Sequence, residues 1–131
     1  MWLFTKNNFL SVVADRDDKD RVLIRARFEE DIEDFFSNSD YAPEVIKGGG
    51  TDYLYRAFMP KHYFINALTN YVKNLDYDNF KNSNDDLWRH KPLMDIWNVM
   101  FEAQEERFRD TNPANFEYGS TDDPESYFLE Y

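Results

Sequence analysis

Three short segments near the start of the chain alternate apolar and polar residues, and this pattern restricts the chain to folds that contain an antiparallel sheet. The segments span residues 2–5, 9–14 and 21–28, and two polar runs separate them. A period of two is typical of strands with one buried face. Because polar connections this short join antiparallel neighbours, we expect a three-stranded meander.

Two kinds of spacing predict the remaining elements. Apolar residues recur at helical spacing in three places, which begin at Glu29, Pro60 and Pro92, and each predicts a helix. Proline is favourable in the first turn of a helix. Two further apolar segments flank Gly48-Gly49-Gly50, which we interpret as a flexible turn. The predicted strands are 2–5, 9–14, 21–28, 44–47 and 53–59, and the predicted helices are about 29–37, 60–75 and 92–109.

These elements predict the α+β class, with a mainly antiparallel sheet of about five strands and two to three helices packed on one face. A ferredoxin-like arrangement is the nearest common type. We expect residues 1–109 to form a single domain and residues 110–131 to form an acidic C-terminal tail. The aromatic residues of the two long helices are expected in the core; they are Phe64, Tyr71, Trp97 and Phe101.

The net charge and the absence of cysteine exclude several classes of function. The 131 residues carry 26 acidic and 15 basic side chains, a net charge of −11, which argues against nonspecific binding to nucleic acid. An acidic surface suits a protein partner with a basic surface. The chain has no cysteine, so disulfides and thiolate sites are excluded. No apolar run is long enough for a membrane span or an export signal, and we expect a cytoplasmic protein.

The outward face of the predicted sheet carries the candidate site. Arg25 and Arg27 share one side of the third strand, and Arg56 lies in the last strand. If these strands are neighbours, the three arginines could bind an anionic small ligand, with Tyr53 and Tyr55 as stacking surfaces. The alternative is that Arg25 and Arg27 are solvent-facing and paired with the carboxylates of Glu29, Asp31 or Asp52.

Other chemistry lacks a matching motif. The Asp- and Asn-rich residues 76–86 fail the calcium-loop pattern, because that pattern requires glycine where Lys81 stands and glutamate where Leu87 stands. His62 and His90 lack metal-ligand spacing. We therefore predict no metal site, no cofactor and no catalytic residue. A small hydrolase or transferase that uses His90, or the carboxylates of Asp76 and Asp78, remains a third hypothesis.

Several motifs taken together resemble a family of short bacterial and phage proteins of unknown function. The resemblance covers about residues 1–101, and it implies a bacterial or phage origin and no known activity. The motifs that carry it are Met1-Trp2-Leu3-Phe4-Thr5, Ser11-Val12-Val13, Arg25-Ala26-Arg27, Asp52-Tyr53-Leu54-Tyr55-Arg56-Ala57, Asp76-Tyr77-Asp78-Asn79-Phe80-Lys81 and Asp95-Ile96-Trp97.

Two functional hypotheses follow from the sequence. The first is a small, non-enzymatic acidic binding or interaction module, and one form of it is an inhibitor of a basic or nucleic-acid-binding partner. The alternative is a domain that binds a nucleotide or another small anion on the arginine-bearing sheet face. The two differ in what they require: the first needs an acidic surface, and the second needs the arginines to converge.

Overall fold

The structure is a computed structural model that describes residues 1–111, and it confirms the α+β class. Every predicted strand and helix has a counterpart, with shifts at the boundaries. The strands are β1 (Trp2–Phe4), β2 (Phe9–Ala14), β3 (Arg21–Ala26), β4 (Ile46–Lys47) and β5 (Tyr55–Pro60). The helices are α1 (Glu29–Phe36), α2 (Lys61–Lys73) and α3 (Leu87–Thr111), with a short 3-10 turn at Lys81–Ser83.

The five strands form one antiparallel sheet in the order β1-β2-β3-β5-β4. The first three strands are the predicted meander. The central pairing joins β3 to β5 over six residue pairs, from Arg21 opposite Pro60 to Ala26 opposite Tyr55. A ferredoxin-like fold runs β-α-β-β-α-β, whereas this chain begins with three consecutive strands.

One face of the sheet packs against α1 and α2. In β3, Val22, Ile24 and Ala26 are buried, while the residues between them are half-buried on the other face. The two helices meet through stacked rings, with the Phe35 and Phe64 centroids 5.6 Å apart. This alternation leaves the opposite face of the sheet without a helix from this unit, and that face carries the candidate site.

A buried polar network ties the β1–β2 turn to α1. The Asn8 side chain donates to the Asp31 carbonyl oxygen at 2.9 Å and to an Asp34 carboxylate oxygen at 3.1 Å. The backbone N–H of Phe9 donates to the Asp31 carboxylate at 2.9 Å. Asn8 and Asp31 are each only 1% exposed, and buried polar groups without hydrogen bonds would destabilise the fold. These bonds supply the missing partners.

The last helix begins earlier than predicted. Asp86 accepts the backbone N–H of Trp88 on its side chain and those of Arg89 and His90 on its carbonyl, as an N-cap residue does. Pro92 therefore lies inside α3 rather than at its start.

The prediction that α3 contributes aromatic rings to the core is wrong. Trp97 and Phe101 stack on each other, with ring centroids 5.3 Å apart, because they lie four residues apart on one helical face. Neither belongs to the buried cluster, and no residue described in α3 is buried. The other two rings behave as expected: Phe64 is buried, and Tyr71 packs against the core.

The chain divides into two compact units, Met1–Asp76 and a second that begins at Tyr77, where the sequence predicts one domain over 1–109. The first unit contains the whole sheet with α1 and α2. The predicted tail lies, from residue 112 onward, outside the described residues. Within residues 1–111, no helix combines the length and the apolar character that a membrane crossing requires.

Candidate anion-binding site

Two arginines lie directly opposite each other on the face of the sheet that points away from α1 and α2. Arg25 in β3 pairs in register with Arg56 in β5, and Ser11 in β2 pairs with Arg25 on the other side. Both arginines alternate with buried core residues, so they project from the face opposite α1 and α2. The strand register, which the sequence does not specify, therefore makes these two arginines direct cross-strand neighbours on one face of the sheet.

The guanidinium groups of this pair donate to hydroxyl groups. Within residues 1–111, neither Arg25 nor Arg56 forms an ion pair. Arg25 Nη2 donates to Ser11 Oγ at 2.8 Å, and Arg56 Nη2 donates to Thr51 Oγ1 at 2.7 Å. The Nε atom of each arginine is buried without an acceptor in the part of the chain that is described. Like charges directly opposite in a sheet are destabilising, so this arrangement lowers stability unless an anion joins it.

Arg27 and Tyr53 are close to the pair but have structural partners. The Tyr53 ring is 5% exposed, and the Cζ atoms of Arg25 and Arg27 lie 4.9 and 4.8 Å from its centre. Arg27 also donates to the Asp52 carbonyl oxygen at 3.0 Å and lies 3.7 Å from its carboxylate. Tyr53 therefore supports the arginines through cation–π contacts and is not an open stacking surface. Arg27 is paired with Asp52, as the solvent-facing alternative anticipates.

Tyr55 does not join this group. It lies on the helix-covered face, where it is half-buried against the core and the Lys47 ammonium is 5.8 Å from its ring centre. Of the five residues that the sequence nominates, the structure thus brings together four and separates one. The separation follows from the pleat, because Tyr55 and Arg56 are consecutive in β5 and must point to opposite faces.

The triglycine turn is part of the site. All three glycines have positive φ, and Gly48 donates to the Leu54 carbonyl oxygen at 2.8 Å, which closes the turn. A Cβ atom at Gly49 would lie 2.5 Å from Arg56 Cζ, so the backbone of Gly49 rests against the guanidinium group. Glycine is needed here for both its conformation and its lack of a side chain.

A cavity of about 350 Å³ lies beside the arginine pair. Arg25 and Arg56 line one part of it, apolar residues of the same three strands line another, and the carboxylates of Asp15 and Asp17 also border it. The sequence analysis did not nominate most of these lining residues. Leu23 and Phe58 could have been found, because each lies two positions from an arginine, Arg25 or Arg56, and residues two apart in a strand share a face. The lining residues are Val13, Ala14, Asp15, Arg16, Asp17, Leu23, Arg25, Thr51, Arg56 and Phe58.

The local charge is opposite to that of the whole chain. Asp15 lies 3.6 Å from Arg21, Asp52 pairs with Arg27, and Asp17, which also lines the cavity, is exposed. Arg16 is exposed at the cavity rim. The chain has eight arginines, and five of them belong to this face or its rim; they are Arg16, Arg21, Arg25, Arg27 and Arg56.

This chemistry suits an anion and not a cation. Unpaired guanidinium groups donate hydrogen bonds and cannot ligate a metal. Among residues 1–111, no cluster of three or more histidine, aspartate or glutamate side chains is arranged to hold a metal ion. Of the residues in the third hypothesis, Asp76 lies 3.8 Å from the Lys6 ammonium, and His90 lies in the first turn of α3.

Comparisons with protein-family models, with curated proteins and with solved structures find no match. The resemblance to short bacterial and phage proteins therefore stays a prediction. A function for this chain has to be argued from the geometry of the arginine pair.

Proposed function

We propose that the protein binds a small anion of the phosphate or carboxylate class between Arg25 and Arg56. One observation carries this proposal: two arginines are cross-strand neighbours in register on adjacent strands, neither has a carboxylate partner in residues 1–111, and both line the same cavity. A ligand that bears negative charge would supply the counter-charge that the protein itself does not provide there.

The donor groups of the pair support this proposal. A guanidinium group has five N–H donors, and each of these two arginines uses one of them on a hydroxyl group. The planar fork matches the oxygen spacing of phosphate and carboxylate, and hydrogen bonds to charged groups contribute about 1.5–3 kcal/mol each. The hydroxyls of Ser11 and Thr51, together with Tyr53, hold the two forks in place before a ligand arrives.

The net charge supports a small ligand over a polyanion. The chain carries a charge of −11, so a long nucleic acid would meet repulsion over most of the surface. At physiological ionic strength, charges separated by more than about 8 Å are largely screened. A single anionic group inside the cavity therefore responds mainly to the arginines beside it.

A thermal-shift titration tests the proposal. Purified full-length protein is heated at low ionic strength with increasing phosphate, pyrophosphate or acetate. An anion at about 100 times its dissociation constant should add about 2.7 kcal/mol of stability, which raises Tm by several degrees. Arg25→Gln and Arg56→Gln should each abolish this shift, because either change removes one fork.

Two further variants make the test specific. Lys61→Gln removes the same charge from an exposed position at the start of α2, away from the arginine pair, and should leave the shift unchanged. Arg56→Lys keeps the charge but loses the fork, and it should weaken binding. A shift that survives both glutamine variants, or the absence of any shift with folded protein, would refute the site.

A second candidate function is the acidic interaction module, and the surface of α1 favours it. The exposed side of this helix carries Glu29, Glu30, Glu33 and Asp34, while its other side packs into the core. A partner with a basic surface would complement this face. Pull-downs with wild type and with a Glu30→Lys/Glu33→Lys variant test it, since a partner that binds both equally would contradict this role for α1.

A further inference from the structure

The floor of the cavity is built from two parallel cross-strand rows. In the first row, Ser11, Arg25 and Arg56 are in register across β2, β3 and β5. In the second row, Val13, Leu23 and Phe58 are in register across the same three strands. The rows lie two residues apart along each strand, which is about 7 Å. The two arginines of the first row and all three residues of the second row line the same cavity.

The second row is apolar where a solvent-facing sheet surface usually carries polar side chains. Phe58 is 38% exposed, and Val13 and Leu23 are half-buried. One exposed apolar residue on a strand needs no explanation. Three in register across adjacent strands form a continuous apolar strip, and it borders the two unpaired arginines.

The size of the cavity exceeds what an inorganic anion needs. A volume of about 350 Å³, at roughly 30 Å³ for each water-sized group, accommodates about a dozen non-hydrogen atoms. Phosphate has five such atoms, so a ligand that fills the cavity carries a further group. That group would lie over the apolar row when the anionic end lies between the arginines.

We infer that the ligand is an amphipathic anion in which a phosphate or carboxylate is attached to a flat apolar group, such as an aromatic ring. This inference rests on the proposed function and specifies its ligand class. The ring packs on Phe58 and Leu23, and aromatic rings stack favourably in offset or edge-to-face geometry. The anionic group accepts hydrogen bonds from Arg25 and Arg56.

Calorimetric titrations with four probes test the inference on the full chain. The probes are inorganic phosphate, methyl phosphate, phenyl phosphate and benzoate. Phenyl phosphate should bind at least about tenfold more tightly than methyl phosphate, a difference of about 1.4 kcal/mol, because only the phenyl group covers the apolar row. Benzoate reports whether the anionic end can be a carboxylate.

Two variants show which residue causes the preference for phenyl phosphate over methyl phosphate. Phe58→Thr should remove the advantage of phenyl phosphate and leave the affinity for methyl phosphate within about twofold. Ile46→Thr is the matched control, because Ile46 is the cross-strand neighbour of Arg56 in β4, is exposed, and does not line the cavity. It should preserve the advantage.

The outcomes separate this inference from the proposed function. If wild type binds methyl and phenyl phosphate equally, and Arg25→Gln abolishes both, the anion site stands and the aromatic specificity is refuted. If no probe binds, or binding does not depend on Arg25, both fail. An unchanged phenyl advantage in folded Phe58→Thr also refutes the inference. If Phe58→Thr does not fold, the comparison of methyl and phenyl phosphate on the wild-type protein still tests the inference.

Discussion

Substituting Gly49 by alanine should disable the anion site through the backbone rather than through a ligand-binding side chain. A Cβ atom there would lie 2.5 Å from Arg56 Cζ and 2.6 and 2.7 Å from its two Nη atoms. Contacts this short force a movement, and the flexible end of the arginine moves more easily than the closed turn. We expect the Arg56 guanidinium to leave its position beside Thr51 and the cavity.

Gly48→Ala is a closely matched control for this change. Gly48 has φ of 103° and Gly49 has φ of 110°, so alanine meets a similarly unfavourable positive φ at both positions, which costs about 1–3 kcal/mol. A Cβ atom at Gly48 meets nothing within 4 Å among the described residues. Any difference between the two variants therefore reports the contact with Arg56.

The expected difference can be estimated from the bonds that Arg56 makes. Moving the guanidinium breaks its hydrogen bond to Thr51, which contributes about 0.5–1.5 kcal/mol. Gly49→Ala should therefore be about 1 kcal/mol less stable than Gly48→Ala. The anion also loses one charge-assisted partner, of about 1.5–3 kcal/mol, so affinity should fall on the order of 10- to 100-fold in Gly49→Ala alone.

Urea denaturation gives the two free energies of unfolding, and phosphate titration gives the two affinities. Equal stability and equal affinity in the two variants would show that the triglycine turn does not position Arg56. Loss of affinity in both would show that the conformation of the whole turn matters and that the Gly49 contact has no separate role.

Three other changes test the packing around the site. Ile24→Ala, at a fully buried position, should destabilise the protein by about 2–5 kcal/mol in urea denaturation, and a loss below about 1 kcal/mol would contradict its central place in the core. Asn8→Ala should lower stability by about 1–3 kcal/mol, since the buried Asp31 carbonyl oxygen loses its donor; a wild-type urea midpoint would show that this network adds nothing. Arg27→Ala should lower the free energy of unfolding by only about 1 kcal/mol, because the ion pair of Arg27 with Asp52 is exposed. In calorimetry, Arg27→Ala should weaken phosphate binding less than Arg25→Gln does.

Local sequence pattern was sufficient for much of the first unit. The alternation in β3 correctly separates buried Val22 and Ile24 from the arginine-bearing face, because a pleated strand imposes a period of two on any sequence. The stripe after Pro60 likewise predicts α2, which the structure places at Lys61–Lys73.

The second unit was harder to predict because a strong local signal pointed to the wrong residue. Pro92 suits the first turn of a helix, yet α3 starts at Leu87, where Asp86 caps it. Capping depends on which side chain reaches the free backbone N–H groups. Spacing alone does not distinguish Asp86 from other polar residues of the preceding loop.

The sequence by itself determined the class of the fold, the side of each strand on which its residues lie, and the net acidity of the chain. Only the tertiary structure decided that Arg25 lies opposite Arg56, that Tyr53 is covered by guanidinium groups, and that Gly49 rests against the Arg56 guanidinium group. The physical reason is the range of the interactions. Side-chain alternation follows from neighbouring residues, whereas strand register and loop placement depend on hydrogen bonds and packing between segments about 30 residues apart.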